Sequence, residues 1–153
     1  MSTRPTLGDF SSIVCFKALI TGMEDTLGTE GAAAAFIQAG RLRGKELVAS
    51  LGLSGAGTPA DQLAHTLNAA LGANGTRLCR VDSVRQEGDD YFVETAETVC
   101  SAGEPAGSKR ACTFTLGAIG GALEAIYGRP MRAQQVASVL TGGTHDTFRI
   151  SPI

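Results

Sequence analysis

The chain has no tryptophan, only two tyrosines and six phenylalanines, and a formal charge of −2. Nucleic-acid binding draws on a basic stripe and on rings for base stacking, and neither is present, so no nucleic-acid partner is expected. No apolar run reaches the roughly 20 residues that a spanning helix needs, and the opening "MSTRPTLGDF" lacks the apolar core of a signal peptide. A cytoplasmic protein without a membrane span is the expectation. Histidine is nearly absent: His65 and His145 are the two in the chain. The "HD" pair at His145 and Asp146 therefore has no companions for a metal-dependent hydrolase, and it reads as a solvated turn. Four cysteines, Cys15, Cys79, Cys100 and Cys112, form no CxxC pair, and in a cytosolic setting they are reduced thiols or metal ligands.

Glycine, by contrast, is abundant at 20 of 153 residues, a length suited to a single domain spanning 1–153. Its placement is the informative part. In "ACTFTLGAIGGALEAIYGRP", residues 111–130, Gly117, Gly120 and Gly121 sit inside an otherwise helical, apolar segment, each at a cost of roughly 1 kcal/mol relative to Ala. A helix apolar on nearly every side, with Glu124 its main interior charge, is buried. Missing side chains on such a helix let another backbone approach closely or leave room for a ligand, and both readings stay open.

The rest of the chain parses into short elements. Asp9 or Ser11 caps a first helix whose apolar stripe, Phe10, Ile13, Phe16, Ile20, Met23 and Leu27, ends at Gly28. A second helix, from about Thr29 to Leu51, again carries glycines, Gly40 and Gly44, on its apolar stripe. "GTPADQLAHTLNAALG" gives Thr58 as N-cap, Pro59 at the first helical position, a Leu63/Leu67/Leu71 stripe and Gly72 as terminator. The period then becomes two: "TRLCRVDSV" and "YFVETAETVC" flank a turn near Gly88, and "AQQVASVL" and "HDTFRI" flank "TGGT". About four helices packed with antiparallel hairpins define an α+β fold.

Several motifs have bland explanations. "GAGTPA", residues 55–60, matches a dinucleotide fingerprint, but no strand precedes it and capping accounts for its residues. Arg41, Arg43 and Lys45 form a solvated basic face or meet a ligand carboxylate. His65 follows the stripe of the third helix, where it is a core histidine or the polar group that orients a ligand. With Gly88 and Asp89 at the turn centre, Cys79 opposes Thr98 and shares a face with Cys100, so Cys79, Cys100 and Cys112 are buried thiols or a displaced metal site. Cys112 with a histidine lacks a third orienting group, and no enzymatic activity is expected.

At the glycine-bearing helix the sequence resembles the V4R (4-vinyl reductase) domain, a family related to the TRAPP vesicle-tethering subunits. The resemblance is carried by "CTFTLGAIGGALEAIYG", by a following hairpin that ends in "HDTFRI", and by "GRLRGKEL" upstream. It implies a commonly dimeric α+β fold that encloses an apolar pocket for hydrophobic or aromatic molecules. One branch of the family accompanies chlorophyll-type pigment synthesis, and others sense phenolic compounds for transcription activators. Many members bind zinc through a Cys before this helix, a Glu-x-x-Cys and a further Cys; here those positions are Cys112, Gln135, Ser138 and Asp146, a poor donor set. No metal is expected, and no particular cofactor is indicated.

The functional expectation is a non-catalytic, homodimeric domain that binds a hydrophobic tetrapyrrole, phenolic or hydrocarbon between its second and fourth helices. His65, Cys112, Phe114, Ile119 and Leu123 are the candidate ligand-binding residues. The alternative is an interaction protein, such as a photosystem assembly factor, with a closed pocket and a protein partner.

Overall fold

The structure, a computed structural model, describes residues 3–153. Ser12 opens helix α1 (Ile13–Ser50), its Oγ accepting the Val14 N–H at 3.2 Å. At Gly28 the backbone leaves helical space, with φ 75° and ψ 160°, so α1 is two helices joined at a kink. The break predicted at Gly28 is present, and the two helices expected on either side of it abut directly, running as the single kinked element α1.

Helix α2 (Ala60–Leu71) buries the predicted Leu63, Leu67 and Leu71 stripe. Its cap differs from expectation: Pro59, not Thr58, holds the cap position, and no side chain bonds there. The cause is tertiary. Gly55 and Gly57 donate their N–H groups to the Ala125 and Ile126 carbonyls at 2.8 and 2.9 Å, and the Thr58 carbonyl accepts the Tyr127 hydroxyl at 2.6 Å. "GAGTPA" thus closes over carbonyls that the end of a helix leaves unpaired.

Strands β1 (Arg80–Glu87), β2 (Asp90–Ala96), β3 (Met131–Ala137) and β4 (Asp146–Pro152) form one antiparallel sheet in the order β1-β2-β4-β3. Gly88, at φ 59°, makes the two-residue β1–β2 turn with Asp89, which pairs Glu87 with Asp90 as anticipated. The register slips between Val81 and Ser83, however, and Val81 faces Thr95. Cys79 therefore lies outside the ladder and does not oppose Thr98, and the strand predicted from residue 76 begins at Arg80. Asn68 of α2 takes up the Val81 N–H at the bulge, at 3.1 Å.

Helix α3 (Thr113–Tyr127) crosses the middle of the fold, packed against α1 on one side and β3 on the other, while α2 packs on β1. That position explains its apolar surround: Ile119, Leu123 and Ile126 are fully buried. Gly128, at φ 63°, ends it in a left-handed cap. The architecture is α+β, as the sequence predicts. No helix among the described residues is long and apolar enough to cross a membrane.

Candidate functional site

The glycines on α1 and α3 mesh. A Cβ on Gly40 would stand 2.1 Å from the Phe114 carbonyl oxygen, and one on Gly44 would stand 2.0 Å from that of Ala118. Reciprocally, Gly117 and Gly121 each approach a carbonyl of α1, Ile37 and Arg41, at 2.1 Å from the Cβ position. Two glycine pairs at four-residue spacing let the backbones touch, with Cα–H groups facing carbonyls. Gly120 points the other way, toward the Ala133 side chain on β3. The space opened by these glycines is therefore filled by the partner helix, and a ligand between their facing stripes is excluded.

The same crossing places Glu124 beneath the basic residues of α1. Arg41 and Lys45 both pair with its carboxylate, Lys45 at 2.8 Å, and the Met131 N–H adds a third bond at 3.0 Å. Burial pushes the Glu124 pKa upward, but the Lys45 bond, the Met131 N–H and the Arg41 charge outweigh it and hold the group below the usual carboxylate range. The face anticipated as solvated or ligand-directed thus neutralises an acid of the chain's own α3.

Beside the crossing lies a cleft of about 430 Å³. Leu47 of α1 and Phe114 and Ala118 of α3 form one wall. Phe10, just ahead of α1, and Ile13 and Phe16 at its start contribute as well, with Phe16 meeting Phe114 edge-on at a ring separation of 5.4 Å. Leu78 and Val99 close the far side, and Arg43, Thr76, Arg77 and Asp9 lie along it as the charged or hydroxyl-bearing residues. Ser11 and Ser12 add two further hydroxyls, and the rest of the lining, more than half of it, is apolar, the usual character of a small-molecule site.

At the positions where the resemblance implies zinc, the side chains bond to one another. The Gln135 side-chain oxygen accepts the Cys112 N–H at 2.8 Å, and its amide nitrogen donates to the Ala137 carbonyl and to Asp146 Oδ1. Asp146 is fully buried, not solvated, because Ser101 Oγ donates to it at 2.6 Å and the Val139 N–H at 3.2 Å. The Ser138 hydroxyl accepts the Leu140 N–H. An amide and a hydroxyl already engaged in this way do not fit zinc, which favours thiolate and imidazole. The neighbouring Cys100 and Cys112 thiols act on each other, pulling the Cys100 pKa down and pushing that of Cys112 up, while burial pushes Cys79 up to about 12. Among the described residues, no group of three His, Cys, Asp or Glu is arranged to hold a metal.

Of the residues singled out in the sequence, Phe114 lines the cleft. Cys112, Ile119 and Leu123 are completely buried in the core and do not line it. His65 is exposed on α2 and is absent from the lining, so it is neither the half-buried histidine nor the orienting group anticipated. His145 contacts Asp82 at 3.2 Å across to β1. Thr76, Arg77 and Val99 were legible only as strand residues. Their convergence depends on loops folding back, and Arg77 adopts a left-handed φ of 57° that no local sequence signal announces.

This architecture has counterparts among solved structures. The phenol-responsive sensory domain of the transcription activator PoxR, solved with phenol, matches with a TM-score of 0.68 at 18% identity, over 94% of this chain and 76% of that one. Subunit 3 of a trafficking protein particle complex from Naegleria fowleri, covalently bound to palmitic acid, matches with a TM-score of 0.61 at 14% identity, over 92% of each chain. The chain has this V4R- and TRAPP-like α+β fold. No protein-family model matches it, and no curated protein matches its sequence.

Proposed function

We propose that this chain is a non-catalytic domain that binds a small hydrophobic molecule in the cleft between the two ends of α1, the start of α3 and the segment before β1. The observation that carries this reading is the cleft itself, about 430 Å³ with Leu47, Phe114, Phe16 and Leu78 on its walls. Ligand pockets run from about 300 to 1,000 Å³, so this one suits one or two aromatic rings or a short aliphatic chain better than a tetrapyrrole macrocycle. The fold shared with a phenol-responsive sensory domain supports the reading. Burial of apolar area drives binding at about 25 cal/mol per Å².

Titration with 1-naphthol, followed by calorimetry, tests this. Saturable binding at one site per chain is expected, weakened by Phe114→Ala and by Leu47→Ala. Absence of binding, or binding indifferent to both substitutions, would overturn it.

A second reading, a face that meets another copy of the chain, is favoured by the first half of α1. Val14, Leu19 and Leu27 are all more than half exposed there. A homodimer that covers these side chains is compatible with an open cleft, and sedimentation of wild type and Leu19→Glu distinguishes it from a monomer.

A further inference from the structure

We infer that the ligand of this cleft carries a negative charge, an aryl or alkyl carboxylate whose apolar body lies among the rings and whose acid group meets Arg77 and Thr76. The inference rests on the binding reading above and specifies its chemistry.

Three observations at the cleft support it. The Thr76 hydroxyl oxygen is buried and has no hydrogen-bond partner among the described residues, although Thr76 lines the cleft. A buried polar group without a partner is costly, and a ligand oxygen would supply the missing bond. Arg77, next in the chain, is held at φ 57°, a conformation unfavourable for a residue with a side chain. That backbone directs its guanidinium over the Phe10 ring, 4.3 Å from the centroid, and its Nε makes a 3.3 Å bond to the Ala73 carbonyl. Its terminal nitrogens have no acceptor among the described residues.

The charge balance of the lining points the same way. Arg43 and Arg77 are its two cations, and among the described residues Arg43 is engaged only by an exposed contact with Glu46 at 3.4 Å. Asp9 is the one carboxylate, and its Oδ1 accepts the N–H groups of Thr3 and Arg4, which holds the acid in its own turn. The N-terminal end of α1 also borders the cleft through Ser12 and Ile13, and its dipole favours an anion. A phenol brings one neutral oxygen to Thr76 and the guanidinium. A carboxylate satisfies Thr76 and a guanidinium together, through charge-assisted bonds.

Calorimetric titration with 1-naphthoate and 1-naphthol, which share a ring system and differ in charge, tests the inference. Naphthoate is expected to bind about tenfold more tightly, as one hydrogen bond to a charged group allows. Its affinity should fall with added salt while that of naphthol stays constant. Arg77→Asn keeps a residue at ease with positive φ, and it should erase the preference, bringing naphthoate down to the affinity the same variant shows for naphthol. Arg43→Gln serves as a second variant if Arg77→Asn fails to fold, and it should reduce the preference. Equal or tighter binding of naphthol, or a preference untouched by Arg77→Asn and Arg43→Gln, overturns the charged-ligand inference while leaving the cleft as a binding site. Failure of both compounds to bind overturns both readings.

Discussion

Gly44 and Ala118 touch backbone to backbone: a Cβ on the glycine would lie 2.0 Å from the alanine's carbonyl oxygen. No rotamer change relieves such a clash, because the obstructing atom belongs to the main chain of a buried helix. Gly44→Ala must therefore part α1 from α3, and the overpacking cost of about 1–3 kcal/mol, or more, should appear in full. Gly22 on the outer part of α1 is the control, since, its own helix backbone and chain neighbours aside, no described residue lies within 4 Å of its Cβ position. Gly22→Ala should stabilise by roughly 0.8–1.0 kcal/mol through helix propensity alone. Thermal melts that place both variants on the same side of wild type would show that the crossing is not where the structure puts it.

Glu124 sets a pH dependence. Its folded pKa lies below the ordinary carboxylate value, first against the pull of burial and then through Lys45, the Met131 N–H and Arg41. The unfolded chain therefore binds a proton more readily than the folded one. The stabilisation is fully present above the unfolded pKa, about 4.3 for glutamate, and is lost as pH falls through the folded value. Urea unfolding across that window should show wild type losing stability on acidification, with part of the loss absent in Glu124→Gln. At neutral pH the variant should cost about 1–3 kcal/mol, because Arg41 and Lys45 lose their shared partner. Glu104, held low chiefly by the Lys17 bond, Asp82 by the Arg80 bond and Asp90 by the Ser151 bond keep an acid limb in both proteins. An identical pH profile for wild type and variant would remove Glu124 from this role.

The glycine faces of α1 and α3, the kink at Gly28 and the turn at Gly88 were all legible, because each is a local demand on backbone or packing that only glycine meets. What filled the space beside the glycines was not legible: "backbone or ligand" is decided by which helix arrives, and that is a tertiary fact. Asp146 misled for a related reason. Flanked by His145 and Thr147, it looks solvated, and its burial depends on Ser101 and Val139 meeting it from other segments. The cleft draws on the start of α1, Leu47, residues 76–78, Val99 and α3, so no single stretch carries its signature. Phe114, which lines it, was singled out because its helix was already marked. Arg77 was not, because a left-handed arginine looks like any other in sequence.

The polar cluster around Asp146 predicts a metal content. With Gln135 bonded to Cys112 and to Asp146, and Ser138 bonded to Leu140, purified protein should hold no stoichiometric zinc by elemental analysis after dialysis. Asp146→Ala would strip Ser101 Oγ and the Val139 N–H of their acceptor and should destabilise by about 1–3 kcal/mol. One zinc per chain, lost when Cys100 and Cys112 are changed to serine, would establish that the thiols bind metal after all.

Ligand binding should be visible as stability. A molecule that binds only the folded chain at 100 times its Kd adds about 2.7 kcal/mol, which for a domain of this size raises Tm by roughly 5–11 °C. For 1-naphthol the gain rests on apolar burial and one hydroxyl contact, so it should be the same at low and high salt. Phe114→Ala removes a cleft wall and also the edge-on partner of Phe16, so it lowers the starting Tm as well as the ligand shift. The two effects separate because the shift is measured from each variant's own ligand-free melt. Leu47→Ala tests the same wall from α1. A naphthol shift that shrinks with salt would mean that charged groups dominate even for a neutral ligand. A shift of full size in both Phe114→Ala and Leu47→Ala would mean that the molecule binds elsewhere on the fold.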